Sequence, residues 1–194
     1  MILSNKEIIK ALDKGTIVIN PRPDMPLMGK GSDPFGSMSL DLRLGGTILV
    51  PKEGQSFAFD LKRGSISGFL GNVCDRVEIT TGRPYILESN KFILAHTLEN
   101  VWLPIIEGKP CYAARVEGKS SFARCGLIVH FTAPTIHAGF KGTITLEMIN
   151  LSANSIILHA GMYICQLIFE RVEGEILQHA PSRFMGQSSP EGLA

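Results

Sequence analysis

Apolar and polar positions follow two rhythms along this chain. Behind Ser4-Asn5-Lys6-Glu7, residues Ile8, Ile9 and Leu12 fall at helical spacing, and Gly15 closes the pattern. Ser4 is placed to accept from the Glu7 N–H while Glu7 reaches back to Ser4, a capping box, so residues 5–14 are predicted as a short amphipathic helix. Elsewhere the rhythm is two. Leu40, Leu42 and Leu44 alternate with Asp41 and Arg43, a half-buried strand over 37–44. Further strands are predicted at 17–19, 47–50, 56–59, 77–80, 85–87, 92–97, 111–116, 128–131, 143–149, 155–158 and 163–169.

The segments between these runs carry turn chemistry. Residues 23–37 hold three prolines and three glycines and read as a loop, as does the Gly/Ser-rich stretch 62–72. Residues 99–104 read as a turn and short connection, and 120–125 as one more short helix. Many short strands with few helical stretches predict a mainly β protein, a barrel or double-sheet jelly roll. No fixed-period repeat or linker divides the chain, so 1–194 is expected to be one domain. From 174 onward the strand rhythm stops, and the composition predicts a mobile tail able to order on a ligand.

Composition narrows the function classes. Hydrophobic residues make up 44% and charged residues 19% of 194 residues, a globular balance with enough material for a core. A net charge of +1 argues against a broad basic surface for nucleic acid. No apolar run reaches membrane-spanning length, and the N-terminus is a charged helical pattern rather than a signal peptide. The cysteines at 74, 111, 125 and 165 form no C-x-x-C pair, and the zinc-deaminase signature H-x-E with P-C-x-x-C is absent. Single buried or half-buried thiols of a cytoplasmic protein are the expectation.

The candidate chemistry gathers in residues 116–150. Gly118-Lys119-Ser120-Ser121 opening a short helix can cradle an anion with backbone N–H groups, hydroxyls and an ammonium, although it lacks Walker spacing. Helical spacing puts Arg124 on the same face as Ser120. His130, in an apolar run, reads as a satisfied core residue; His96 and His159 read as structural too. His137 sits in a Gly-containing turn where backbone can approach a ligand. Glu147 shares one strand face with Thr143 and Thr145. It is either decoration on a solvated face or a site acid/base, and spacing leaves both open.

The strings GKSSFARCGL, TAPTIHAGFKG and ITLEMIN, with 23 residues from Arg124 to Glu147, resemble the dCTP deaminase branch of the trimeric dUTPase superfamily. INPRP, SLDLRLG, the run from Ala95 to Pro104 and RFMGQ have counterparts in the same order, so the resemblance covers nearly the whole chain. It implies a distorted β-barrel or jelly roll, a homotrimer with sites between subunits, and a C-terminal lid over 174–194. The implied activity is zinc-free hydrolysis of dCTP to dUTP and ammonia, supplying dUTP for dUMP and dTTP synthesis, with Mg²⁺ accompanying the triphosphate. Glu147, Arg124, Ser120 and Ala133 match the catalytic group, Ala133 through its backbone. Lys119, Ser120, Ser121, Arg124, His137, Phe140, Thr145, Arg183, Phe184 and Gln187 match substrate-binding positions.

Three departures qualify the match. His137 stands where the superfamily usually carries aspartate, which argues against diphosphatase activity and touches sugar recognition. Pro134 replaces a residue that is often histidine, and Arg183 and Phe184 replace lysine and tyrosine. The alternatives are a dUTP diphosphatase or bifunctional enzyme, and a non-catalytic nucleotide-binding module.

Overall fold

The computed structural model describes residues 1–24, 33–54, 60, 62, 65–176 and 185–192. The first helix, α1 (Asn5–Asp13), forms as its pattern predicts. Ser4 Oγ accepts from the Glu7 N–H at 3.4 Å, satisfying one donor of the first turn. The reciprocal half of the capping box is replaced by an ion pair, with Lys10 Nζ 2.6 Å from Glu7 Oε1. Ile8, Ala11 and Leu12 enter the main core.

Twelve strands form among the described residues: β1 (Val18–Asn20), β2 (Leu40–Arg43), β3 (Thr47–Pro51), β4 (Cys74–Glu78), β5 (Tyr85–Leu87), β6 (Phe92–Trp102), β7 (Cys111–Gly118), β8 (Leu127–Ile128), β9 (Thr135–Ile136), β10 (Lys141–Asn150), β11 (Ile156–Leu158) and β12 (Tyr163–Val172). One sheet has the order β4-β3-β6-β10-β8, with β1 also on β6. A second has the order β2-β12-β7-β9, and β11-β5 form a short pair. Among the described residues these strands pair antiparallel throughout. Alternate residues of both larger sheets meet in one core, to which Leu40, Leu42, Leu146, Met148, Leu167 and Phe169 contribute fully buried side chains. The result is a mainly β, jelly-roll-like packing of sheets with three short helices, and no closed ring of strands forms among the described residues.

Several expectations change. The stretch read as a loop over 62–72 contains α2 (Ile66–Val73), because Ser65 Oγ accepts from the Gly68 N–H at 3.2 Å and starts a helix there. Leu70 and Val73 then cover a small cluster of Leu49, Cys74 and Leu94. The connection expected at 99–104 is strand as far as Trp102. A carboxylate reads as a turn residue, but Glu99 is buried and gripped by Arg43, through Nε at 2.6 Å and the backbone N–H at 2.8 Å. That contact holds the guanidinium firmly protonated, its hydrogen bond to Glu99 raising its proton affinity. Strand β9 was hidden in a Gly-containing turn, and β8 ends sooner than 131. The predicted strand at 56–59 lies outside the described residues. Helix α3 (Ser120–Ala123) appears where one was expected.

Of the cysteines, Cys74 and Cys165 are buried and Cys111 is half-buried, but Cys125 is exposed, contrary to expectation. It follows α3, whose described residues bury no side chain. Burial pushes the Cys165 thiol far up, which keeps it in the neutral form.

β2 and β6 meet at Gly45, whose N–H donates to the His96 carbonyl at 2.8 Å. A Cβ on Gly45 would lie 2.5 Å from His96 Cε1, so glycine is what lets the backbone pass the ring. Burial lowers the His96 proton affinity from the ordinary 6.5, with the Thr97 carbonyl opposing in part. The folded ring is therefore favoured neutral, while the unfolded ring binds a proton below that value. The unfolded state then holds more protons, so stability is lost as pH falls from 6.5 through the folded-state value. We expect the melting temperature to fall on acidification from about pH 7 to about pH 5, and His96→Gln to flatten that fall. An unchanged slope in the variant would rule out His96 as its source.

Candidate active site

Strand β10 carries the candidate acid/base. Its burial alternates beyond Thr145, with Leu146 and Met148 directed to the core and Thr145, Glu147 and Ile149 half-exposed on the other side. A register shift against β6 between Thr143 and Thr145 interrupts the pairing. The irregularity buries Thr143 and lets both Ile144 and Thr145 reach the same cleft. That cleft, about 810 Å³, is mostly apolar in lining and has Glu147 in its wall. Glu147 is thus a pocket residue, its side chain 32% exposed, rather than decoration on an open face.

Two consecutive residues approach one oxygen of this carboxylate. The Phe131 N–H donates to Glu147 Oε2 at 3.2 Å, and His130 Nδ1 lies 3.5 Å from the same atom. Glu147 Oε1 makes no hydrogen bond with the described residues. His130 was read as a satisfied core histidine, and the structure corrects this. Its side chain is only 8% exposed, yet neither ring nitrogen has a hydrogen-bond partner among the described residues. Glu191 Oε2 is the other such buried atom, and it too belongs to a residue lining the cleft. Neither residue announces itself in the sequence: His130 sits in an apolar run and Glu191 in a polar tail.

Ala133, His137 and Phe140 line the cleft on the approach to β10. Their turn is fixed by backbone bonds from Gly139 N–H to the Leu103 carbonyl at 2.6 Å and from Phe140 N–H to the His137 carbonyl at 3.1 Å. Residues 185–192 lie along the start of β10. Gly186 N–H donates to the Lys141 carbonyl at 2.6 Å, and Thr143 N–H to the Gln187 carbonyl at 2.9 Å. The Gln187 side-chain amide, buried, donates to the Thr143 carbonyl at 2.6 Å. Farther on, Thr145 Oγ1 donates to the Pro190 carbonyl at 3.3 Å, and Arg76 Nη1 reaches Glu191 Oε1 at 3.3 Å.

The Gly-Lys-Ser-Ser turn lies elsewhere. None of Lys119, Ser120, Ser121 or Arg124 is among the residues lining this cleft. Lys119 caps α3 without a side-chain cap bond and pairs with the Asp41 carboxylate, its ammonium 5.9 Å above the Tyr163 ring centroid. Ser120, Ser121 and Arg124 are exposed, and their side chains make no hydrogen bond or ion pair with described residues. The cleft of this chain therefore gathers Glu147, Ala133, His137, Phe140, Thr145 and Gln187, and leaves the anion turn and Arg124 outside. Arg183 and Phe184 lie outside the described residues. Among the described residues no group of three or more His, Cys, Asp or Glu side chains is arranged to hold a metal ion. No helix among them is long and apolar enough to cross a membrane.

Comparison with known proteins points the same way. Residues 2–172 match the model of the dCTP deaminase-like family. The chain is 32% identical to a dCTP deaminase of Thermomicrobium roseum, over 98% of this chain and 92% of that protein. It is 36% identical to a dUMP-forming dCTP deaminase of Dictyoglomus thermophilum, over the same shares. A dCTP deaminase of Shewanella oneidensis is 37% identical over 91% of this chain and 86% of that one. The crystal structure of a 2′-deoxycytidine 5′-triphosphate deaminase from Agrobacterium tumefaciens shares the fold, with TM-score 0.63 and 22% identity over 89% of this chain. The chain spans about half of that longer protein, 48%.

The docking of the tail depends on Gly142. Its φ of +152° is open mainly to glycine, and a Cβ there would lie 3.0–3.1 Å from Gln187 O, N and Cγ. We expect Gly142→Ala to release residues 185–192, read as faster amide exchange at Thr143 and Gly186, whose N–H groups make the backbone bonds between tail and strand, and faster proteolysis of the tail. Unchanged protection at both amides would show that the contact tolerates the methyl group.

Proposed function

Since the chain belongs to the dCTP deaminase-like family, we propose that it hydrolyses dCTP to dUTP and ammonia at the cleft around Glu147. The observation that supports this most is a carboxylate in the wall of a largely apolar cleft, with one oxygen approached by Phe131 N–H and the other unengaged by the described residues. The unengaged oxygen accepts a proton from water as the water oxygen bonds to C4 of cytosine. Glu147 delivers that proton to ring N3, giving a tetrahedral intermediate. It then takes the proton of the new hydroxyl and passes it to the departing amine. The C4–N4 bond breaks, ammonia leaves and C4 becomes a carbonyl. Ala133 contributes its backbone to holding the water, and Phe140, Thr145 and His137 flank base and sugar. Mg²⁺ travels with the triphosphate, and the enzyme works in the cytoplasm.

The triphosphate goes to Lys119, Ser120 and Ser121, with Arg124 orienting the carboxylate and Arg183, Phe184 and Gln187 closing from the tail. Because the turn and Arg124 lie outside the Glu147 cleft of one chain, this reading places them in the cleft of a second copy, in a homotrimer. The exposed and unengaged Ser120, Ser121 and Arg124 side chains are consistent with that service to a neighbour.

The dUMP-forming relatives from Dictyoglomus thermophilum and Methanosphaera stadtmanae, 36% and 33% identical, favour a second reading in which the triphosphate is also cleaved. His137 at the usual aspartate position speaks for plain deamination. Incubation with dCTP and Mg²⁺ separates the two: dUTP with ammonia supports the first, dUMP with pyrophosphate the second, and nucleotide binding without product would sink both.

Glu147→Gln is expected to lower kcat by at least about 100-fold while dCTP affinity by calorimetry stays within about threefold. Near-normal turnover would remove Glu147 as the base. For the shared site, Glu147→Gln and Arg124→Ala should each be inactive alone. Subunits mixed under exchange should regain a measurable fraction of wild-type rate, since some sites then draw both residues from intact partners. No recovery in a mixture shown to have exchanged would place both residues in one chain's site.

A further inference from the structure

The geometry points to His130 as a positioning residue for Glu147, an assignment that rests on the reading of Glu147 as the acid/base. The imidazole is more than nine-tenths buried, and neither nitrogen has a hydrogen-bond partner among the described residues. A buried polar ring left this way is costly unless the working state of the site satisfies it. The Glu147 carboxylate stands beside it: Nδ1 lies 3.5 Å from Glu147 Oε2. That separation exceeds an ordinary N–H···O bond by only about 0.5 Å, and catalytic contacts commonly tighten when substrate arrives.

The chain geometry makes His130 suited to this task. Residues 130 and 131 follow β8, which pairs with the end of β10 through Ile149–Ile128 and Asn150–Leu127. The same short connection therefore brings the Phe131 N–H and the His130 ring to one oxygen of Glu147. Two donors on Oε2 fix the rotation of the carboxyl group and leave Oε1 for the water. The role requires the ring proton on Nδ1, so that Nε2 serves as an acceptor beside the cleft that His130 lines. His130 acts through Glu147 and forms no bond to the reacting atoms.

Three variants separate this role from packing. His130→Phe keeps the ring volume and removes both nitrogens. His130→Asn restores a donor near the Nδ1 position, whereas His130→Gln places its amide near Nε2. We expect the Phe variant to lose about 10- to 100-fold in kcat with KM and dCTP affinity within about threefold, Asn to recover to within about threefold of wild type, and Gln not to recover. Should the Phe variant fail to fold, Asn against Gln carries the same comparison. Equal rates for Phe and wild type would overturn the proposal. So would equal losses in Asn and Gln, or a loss of affinity that matches the loss of kcat.

Absence of ammonia release by the wild-type protein would instead defeat the functional reading. The contact can then be read alone, in ¹⁵N-histidine spectra without nucleotide. The His130 ring signals, assigned by their loss in the Phe variant, should move on Glu147→Gln. Signals that stay in place would overturn the contact itself.

Discussion

The pairing of β10 governs both the fold and the site. On one edge β10 pairs with β6 almost from end to end, and its buried side chains join the main core. On the other edge the partners are divided. The tail bonds to Lys141 and Thr143, and β8 pairs with Ile149 and Asn150. Between these partners no described strand follows that edge, and here Thr145 and Glu147 open into the cleft. An unpaired stretch of edge is ordinarily a liability for a sheet. In this chain the local irregularity at Thr143–Thr145, the cleft and the docked tail all fall on that stretch. The backbone thus sets where a ligand can be received before any catalytic side chain is considered.

A second constraint concerns charge. The outward residues of β2, Asp41 and Arg43, pair with Lys119 and Glu99 respectively. Removing either member of a largely buried pair leaves the other charge uncompensated, so such pairs hold strands in register more than they add stability. The Arg43–Glu99 contact ties β2 to β6, near the isolated bridge between Leu44 and Thr97. The Asp41–Lys119 contact ties the start of α3 to β2. It holds the lysine of the anion turn while leaving the adjacent hydroxyls and Arg124 open to solvent.

Much of this was legible in the sequence, for reasons that differ by residue. Leu40, Leu42 and Leu44 declare a strand because one face is buried and the other is not. Helix α1 was readable from its cap and stripe. Helix α2 was not, because Gly68 and Gly71 lower helix propensity, and the segment relies on the Ser65 cap and on packing against Leu49, Cys74 and Leu94. The length of β6 was hidden by Glu99, whose neutralising partner is 56 residues away. Glu147 could be singled out as a carboxylate in an apolar strand, and the family resemblance supplied its role. His130 could not be singled out, since its significance lies in a buried ring that finds no hydrogen-bond partner among the described residues, and a missing contact leaves no trace in spacing.

The sheet register also gives a reason for the tail's course. Arg76, Leu49, Leu94 and Glu147 are successive cross-strand neighbours on β4, β3, β6 and β10. Directly paired residues present their side chains on one face of a sheet. The row thus runs from an arginine over two leucines to the candidate acid/base, Glu147. Residues 185–192 begin on β10 at Lys141 and Thr143 and end with Glu191 at Arg76, so they bridge the two ends of the row. Leu49 and Leu94 sit between two charged positions, and Leu70 and Val73 of α2 pack over them. A tail of polar composition can lie along β10 because Gln187 and the Pro190 carbonyl are met by β10 and Glu191 Oε1 by Arg76, while Glu191 Oε2 stays without a hydrogen-bond partner among the described residues. Its attachment is accordingly made of hydrogen bonds and one ion pair, which are contacts a polar ligand is equipped to exchange.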